Sequence, residues 1–242
     1  MTNGATPSAV AGTTYPEPSY GGALLQLAIP WLPAVPPYSD LPVYWTWHRD
    51  VALTMTIHKE DMWATAVART ATKFAAHSFS VKDSKDSARR VSESQRLLKG
   101  ADGGQGWVTF AEKVIQDLLT TDNGIFIRIR RADDTTAKLK AADKEFVEVV
   151  QSSPGAKITG LYHLDSLRCM RTGNLTYPVR FQPMFGPPQL LRWDQVLCYA
   201  DMPSPRAELY GVGFCAASRA YKTIGTIAAL RQLLHELSLI HI

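Results

Sequence analysis

Cysteine is scarce in this chain. Cys169, Cys198 and Cys215 are the three present in 242 residues, and they form no C-x-x-C pair. An odd, dispersed set excludes both a disulfide framework and a zinc knuckle, and it fits a reducing compartment. Long apolar runs are also missing. The longest early one, Ala23 to Val35, is broken by Pro30 and Pro33, is too short to span a bilayer, and has no basic residues before it as a signal peptide would. The chain therefore reads as soluble and unsecreted, with no membrane partner. Charge of one sign is lacking too: 26 basic against 22 acidic residues give a net +4, without the clustered basic footprint of a dedicated nucleic-acid binder.

Catalytic signatures are equally sparse. No serine sits in a G-x-S-x-G elbow. His48, His58, His77, His163, His235 and His241 make no H-E-x-x-H motif and no i, i+4 pair on one helix. His58-Lys59-Glu60 has the H-x-E order of the zinc deaminases, but the P-C-x-x-C partner which that chemistry needs is absent. These residues nominate no catalytic group, no metal ligand and no cofactor.

What is present is a 45% apolar composition, enough for a buried core. Eight of the 15 prolines fall in the first 42 residues, and none lies between Val43 and Ser153. Residues 1–42 are accordingly expected to form an extended proline-rich arm, and the folded region is expected over 43–237. LLQLAIPWLP within the arm is too apolar to be left wholly in water, which suits an arm lying on its own domain or on a neighbour; a plain disordered leader stands as the alternative.

Within the folded region, Trp63, Val67, Ala71 and Phe74 recur at helical spacing over Lys59 to Ala76, with Glu60 and Asp61 at the positive N-terminal end. A weaker stripe of Ala88, Val91, Gln95 and Leu98 stops at Gly100. Thr109 and Glu112 have the spacing of a T-x-x-E capping box, opening a helix that Asp122-Asn123-Gly124 ends. In IFIRIRR, Ile125, Ile127 and Ile129 alternate with Phe126, Arg128 and Arg130, which predicts a strand whose exposed face is basic. FVEVV is either a strand or the end of a helix. Short strands follow: ITGLYHLD, then LRCMR and LTYPVRF joined as a hairpin through Thr172-Gly173-Asn174, then VLCYA. Pro178 cannot donate to a ladder, which places its strand at an edge or with a free side there. A last helix runs from about Gly213 to Leu237. The fold class is α+β: amphipathic helices packed with short, mainly antiparallel strands and hairpins, followed by a long C-terminal helix.

The stretch LYGVGFCAASRA carries Gly211, Gly213 and Ala216 as G-x-G-x-x-A, the spacing of a dinucleotide phosphate loop. That fingerprint belongs in a first βαβ unit, with a second strand and an acidic residue about 20 positions on. Here it falls near the end, and Glu236 lies within the same helix pattern. Gly211 and Gly213 are therefore read as a structural strand-to-helix turn that supplies unusual backbone angles.

Five ordered segments carry a family resemblance over Met62 to Glu236: MWATAVARTATKFAAHSFSV, TFAEKVIQDLLTTDNGIFIRIRR, GLYHLDSLRCMRTGNLTYPVRF, LLRWDQVLCYADMPSP and LYGVGFCAASRAYKTI. Taken in this order they resemble the N-terminal wing region of tailed-bacteriophage portal proteins. The chain departs from the family at Cys198, where many relatives have histidine, at Cys215-Ala216, where they have Ser-Pro, and in its Asn123-Gly124 order. The resemblance implies a non-enzymatic ring of identical subunits, usually a dodecamer, at one capsid vertex of the virion. It also implies a terminase large subunit that drives double-stranded DNA through the channel, with the major capsid protein and a head–tail adaptor as further partners. Stem and clip would lie beyond this region, and Ser238–Ile242 (SLIHI) would be a non-native tail. Arg89, Arg90, Arg128 and Arg130 are assigned to contacts with neighbouring subunits or DNA. Another head-morphogenesis protein, or a nucleotide-dependent enzyme, stands as the alternative.

Overall fold

A computed structural model describes residues 45–77, 80–82, 88–140, 146–205 and 210–240. Helices α1 (Trp47–Lys59), α2 (Asp61–Ala75), α3 (Ala88–Lys99) and α4 (Trp107–Thr120) come first, with a tight turn at Ala101–Gly104. Strands β1 (Ile125–Arg131), β2 (Thr135–Lys140), β3 (Phe146–Gln151), β4 (Ile158–Leu164), β5 (Cys169–Arg171), β6 (Val179–Phe181), β7 (Gln189–Leu191) and β8 (Val196–Tyr199) follow. Helix α5 (Ala216–Ile240) is the last element. The fold is α+β, and the arm at 1–42 lies outside the described residues.

The strands form two sheets. One has the order β4-β1-β8, antiparallel throughout; the other has the order β2-β3-β7-β6-β5, with β3 and β7 its parallel pair. Successive side chains of β1 point to opposite faces. Ile127 and Ile129 face the helices together with Leu161 and Leu197, while Phe126 packs with Val150, Cys169, Val179 and Leu191 of the second sheet. The three-stranded sheet is therefore the middle layer, covered by helices on one side and by a sheet on the other.

That layering corrects the expected basic face of β1. Arg128 is drawn into the space between the sheets, where it donates to Gln189 at 3.3 Å, and only Arg130 of the pair is exposed. The capping box is also corrected. Gly106, at φ 93°, caps α4, so Thr109 already lies inside the first turn, and Glu112 instead accepts from Thr72 at 3.0 Å. The hairpin forms with Cys169 opposite Phe181, but its second strand starts only at Val179 and lies between β5 and β7. Pro178 therefore does not mark an edge: it precedes the strand, where no ladder donor is required. FVEVV is a strand, paired with β2.

Candidate functional site

The helix-ending turn Thr121–Gly124 becomes the most connected part of the interior. Asp122 and Asn123 are 2% and 1% exposed, and buried polar groups at this depth require partners. Two neighbouring residues of α1 supply several of them. Asp50 accepts from the backbone N–H groups of Asp122 at 2.8 Å and Asn123 at 3.2 Å, and from Trp45 Nε1 at 2.9 Å. Arg49 Nε meets Asp122 Oδ2 at 2.6 Å. Burial pushes the Asp50 carboxyl up to about 6, more than these hydrogen bonds pull it down.

Asp122 also answers the question raised by the glycine loop. Its carboxylate sits at the N-terminus of α5, accepting from the Cys215 N–H at 2.8 Å and from the Ser218 hydroxyl at 2.6 Å, while its carbonyl accepts from the Gly213 N–H at 2.7 Å. A helix N-terminus with free N–H groups favours an anion. Here the anion is the chain's own carboxylate, neutralised by Arg49, in the place a pyrophosphate would take. Gly211 does adopt a positive φ, +82°. Gly213 is needed for a different reason: a Cβ there would lie 2.0 Å from the Asp201 carbonyl oxygen, so the backbones can approach this closely only without one.

Asn123 extends the network in the other direction. Its amide donates to the Ser166 and Cys169 carbonyls at 3.1 and 2.7 Å, and it receives Arg171 at both its side chain and its carbonyl. Arg171 continues to the Tyr210 carbonyl at 3.2 Å. Asp117, one turn earlier in α4, accepts from the Ser166 N–H and lies 2.9 Å from His163 Nε2; burial raises its carboxyl. One turn thus joins α1, α4, the first sheet, the hairpin and α5.

Burial, with the negative charge of Asp122 added, pushes the Cys215 thiol well up, and burial does the same to Cys169, so neither is a ready nucleophile. Among the described residues, no group of three His, Cys, Asp or Glu side chains is placed to hold a metal ion, and no helix is long and apolar enough to cross a membrane. Glu60 of the H-x-E triplet is buried and pairs with Arg231 of α5 at 2.6 Å.

The four arginines nominated from the sequence do not form one patch. Arg89 and Arg90 are exposed at the start of α3, with Arg89 reaching Glu93 at 3.5 Å. Arg128 and Arg130 line a polar cleft of about 470 Å³ with Asp134, Thr136 and Tyr162, on the face of β1 that turns away from the helices. Arg49 and Arg171, which organise the interior, were not singled out. Their only sequence signals are the Arg-Asp pair within α1 and a basic residue closing a short strand. Comparison of the chain with known protein families, curated proteins and solved structures yields no match.

Proposed function

We propose that this chain is the wing region of a phage portal subunit, acting through ring assembly rather than catalysis. The observation that carries the reading is the ordered set of five segments between Met62 and Glu236. Two structural features support it. The segment pairs singled out in that set, helix–Asp-Asn-Gly–strand and strand–Gly-x-Gly–helix, meet each other through Asp122. The far turns of α5 expose Leu230, Leu233, Leu234 and Leu237, a stripe at helical spacing suited to a neighbouring subunit. Cyclic closure needs two different faces on each subunit, meeting head to tail.

The test is to read the source locus through the codons for Arg231 to Ile242 and several hundred bases beyond, then to image the product by electron microscopy. A frame continuing from Glu236 into a long helix, a small projecting domain and a returning helix, with a product that forms rings, is the expected result. A stop directly after Ile242 together with a monomeric product would sink the reading.

A further inference from the structure

Between the helical layer and the three-stranded sheet lies an apolar cleft of about 280 Å³, lined by Phe74, Trp107, Val114, Ile129, Leu161 and Leu197 among others. Helices α3 and α4 pack against β4 and β1, so the cleft is closed on the β4 side. On the β8 side Leu197 and Tyr199 are half exposed. Strand β8 is also an edge strand. Its register puts Leu197 opposite Ile127, and Ile129 donates to the Gln195 carbonyl, so the odd-numbered residues of β8 bond to β1. The N–H groups of Val196, 5% exposed, and of Cys198, half-buried, therefore point away from β1, and a sheet edge with no strand paired on that side among the described residues accepts another strand.

We propose that Leu24–Ile29 of this same chain adds to the free edge of β8 and lays Leu25, Leu27 and Ile29 over the cleft. The segment reads Leu-Leu-Gln-Leu-Ala-Ile, with its apolar residues at 25, 27 and 29 on one face at period two, and Pro30 stops the pattern where no further donor is available. Strand addition draws its affinity from main-chain hydrogen bonds and its selectivity from alternate side chains in pockets. The chain between the segment and the first described residue is long enough: residues 30–44 can span roughly 50 Å when extended. A domain of about 200 residues has a radius of gyration of only about 16 Å. The inference is independent of the portal reading, because it concerns how one chain covers its own apolar cleft.

The experiment uses the full chain with a photo-reactive residue at one arm position, Leu27→p-benzoylphenylalanine, followed by irradiation and peptide mapping. Adducts within one chain on Phe74, Val114 or Leu197 are expected. Adducts outside the cleft, adducts joining two chains, or no adduct would overturn the proposal. A second measurement compares amide exchange in the wild type and in a Leu25→Asp, Leu27→Asp variant. Exchange at Val196 and Cys198 should be about tenfold faster in the variant, with Val149 in the second sheet unchanged as a check on global folding. Equal rates at Val196 and Cys198 would overturn it.

Discussion

The two ends of α5 present the same kind of sequence in opposite surroundings. In its first turns Ala217 and Ser218 are buried, and Ile224 is 6% exposed. From residue 229 onward every described side chain is exposed, although Leu230, Leu233, Leu234 and Leu237 repeat at helical spacing as regularly as the residues before them. Periodicity makes the helix; what lies across from it makes the burial. The first turns have Asp122 and Arg49 to meet, whereas past residue 229 the ion pair of Arg231 with Glu60 reaches the helix while its leucines stay exposed.

The sharpest way to break that contrast is at its enclosed end. Asp122→Ala removes the anion from the α5 N-terminus and leaves Arg49, 8% exposed, without its carboxylate. Losing one partner of a buried pair costs about 3–5 kcal/mol, so urea unfolding should show a loss of that size, with α5 the first element to lose amide protection. A loss below ~1 kcal/mol would mean that the enclosed end does not depend on this pair.

A smaller effect comes from pH. The Asp50 carboxyl titrates near 6 in the folded protein against an ordinary 3.8, so the folded state holds its proton more tightly. The stabilisation is fully present below about pH 4 and is lost as pH rises through 6. Asp50→Asn, which keeps a neutral side chain, should flatten the fall in stability between pH 4 and 7 by on the order of 3 kcal/mol. A wild type and variant with parallel pH profiles would contradict the assignment.

Next in size is Gly213→Ala, which pushes a methyl group onto the Asp201 carbonyl. Overpacking of this kind costs about 1–3 kcal/mol, and thermal unfolding should report it without any change in dinucleotide binding. Smallest of all, Leu230→Ser with Leu234→Ser at the open end should change unfolding free energy by less than about 0.5 kcal/mol each. Under the proposed ring assembly, sedimentation should show a loss of self-association. A large stability loss there would mean that α5 is enclosed along its whole length.

Several elements were legible in residues close together along the chain. The alternation in IFIRIRR specifies β1, and the Val67–Ala71 spacing specifies α2, because each period is set by backbone geometry alone. The Thr109–Glu112 pair misled: local spacing suits a capping box, yet Gly106 starts the helix a turn earlier. Helix α1 was not anticipated. Its apolar pattern is weak, and it holds its place through Arg49 and Asp50, polar residues that reach Asp122 and Asn123 more than 70 positions away.

By itself the sequence determined the α+β class, the main helix and strand periods, the turn at Gly211 and Gly213, and the absence of familiar catalytic and metal signatures. Those properties depend on backbone sterics, side-chain period and residue type over short spans. Only the tertiary structure decided that Asp122 fills the start of α5, that Arg128 turns inward between two sheets while Arg89 stays in solvent, and that the apolar stripe of α5 is enclosed at one end and open at the other. Each of these depends on which distant residue arrives opposite, because desolvation and pairing act through space between groups that the chain keeps far apart.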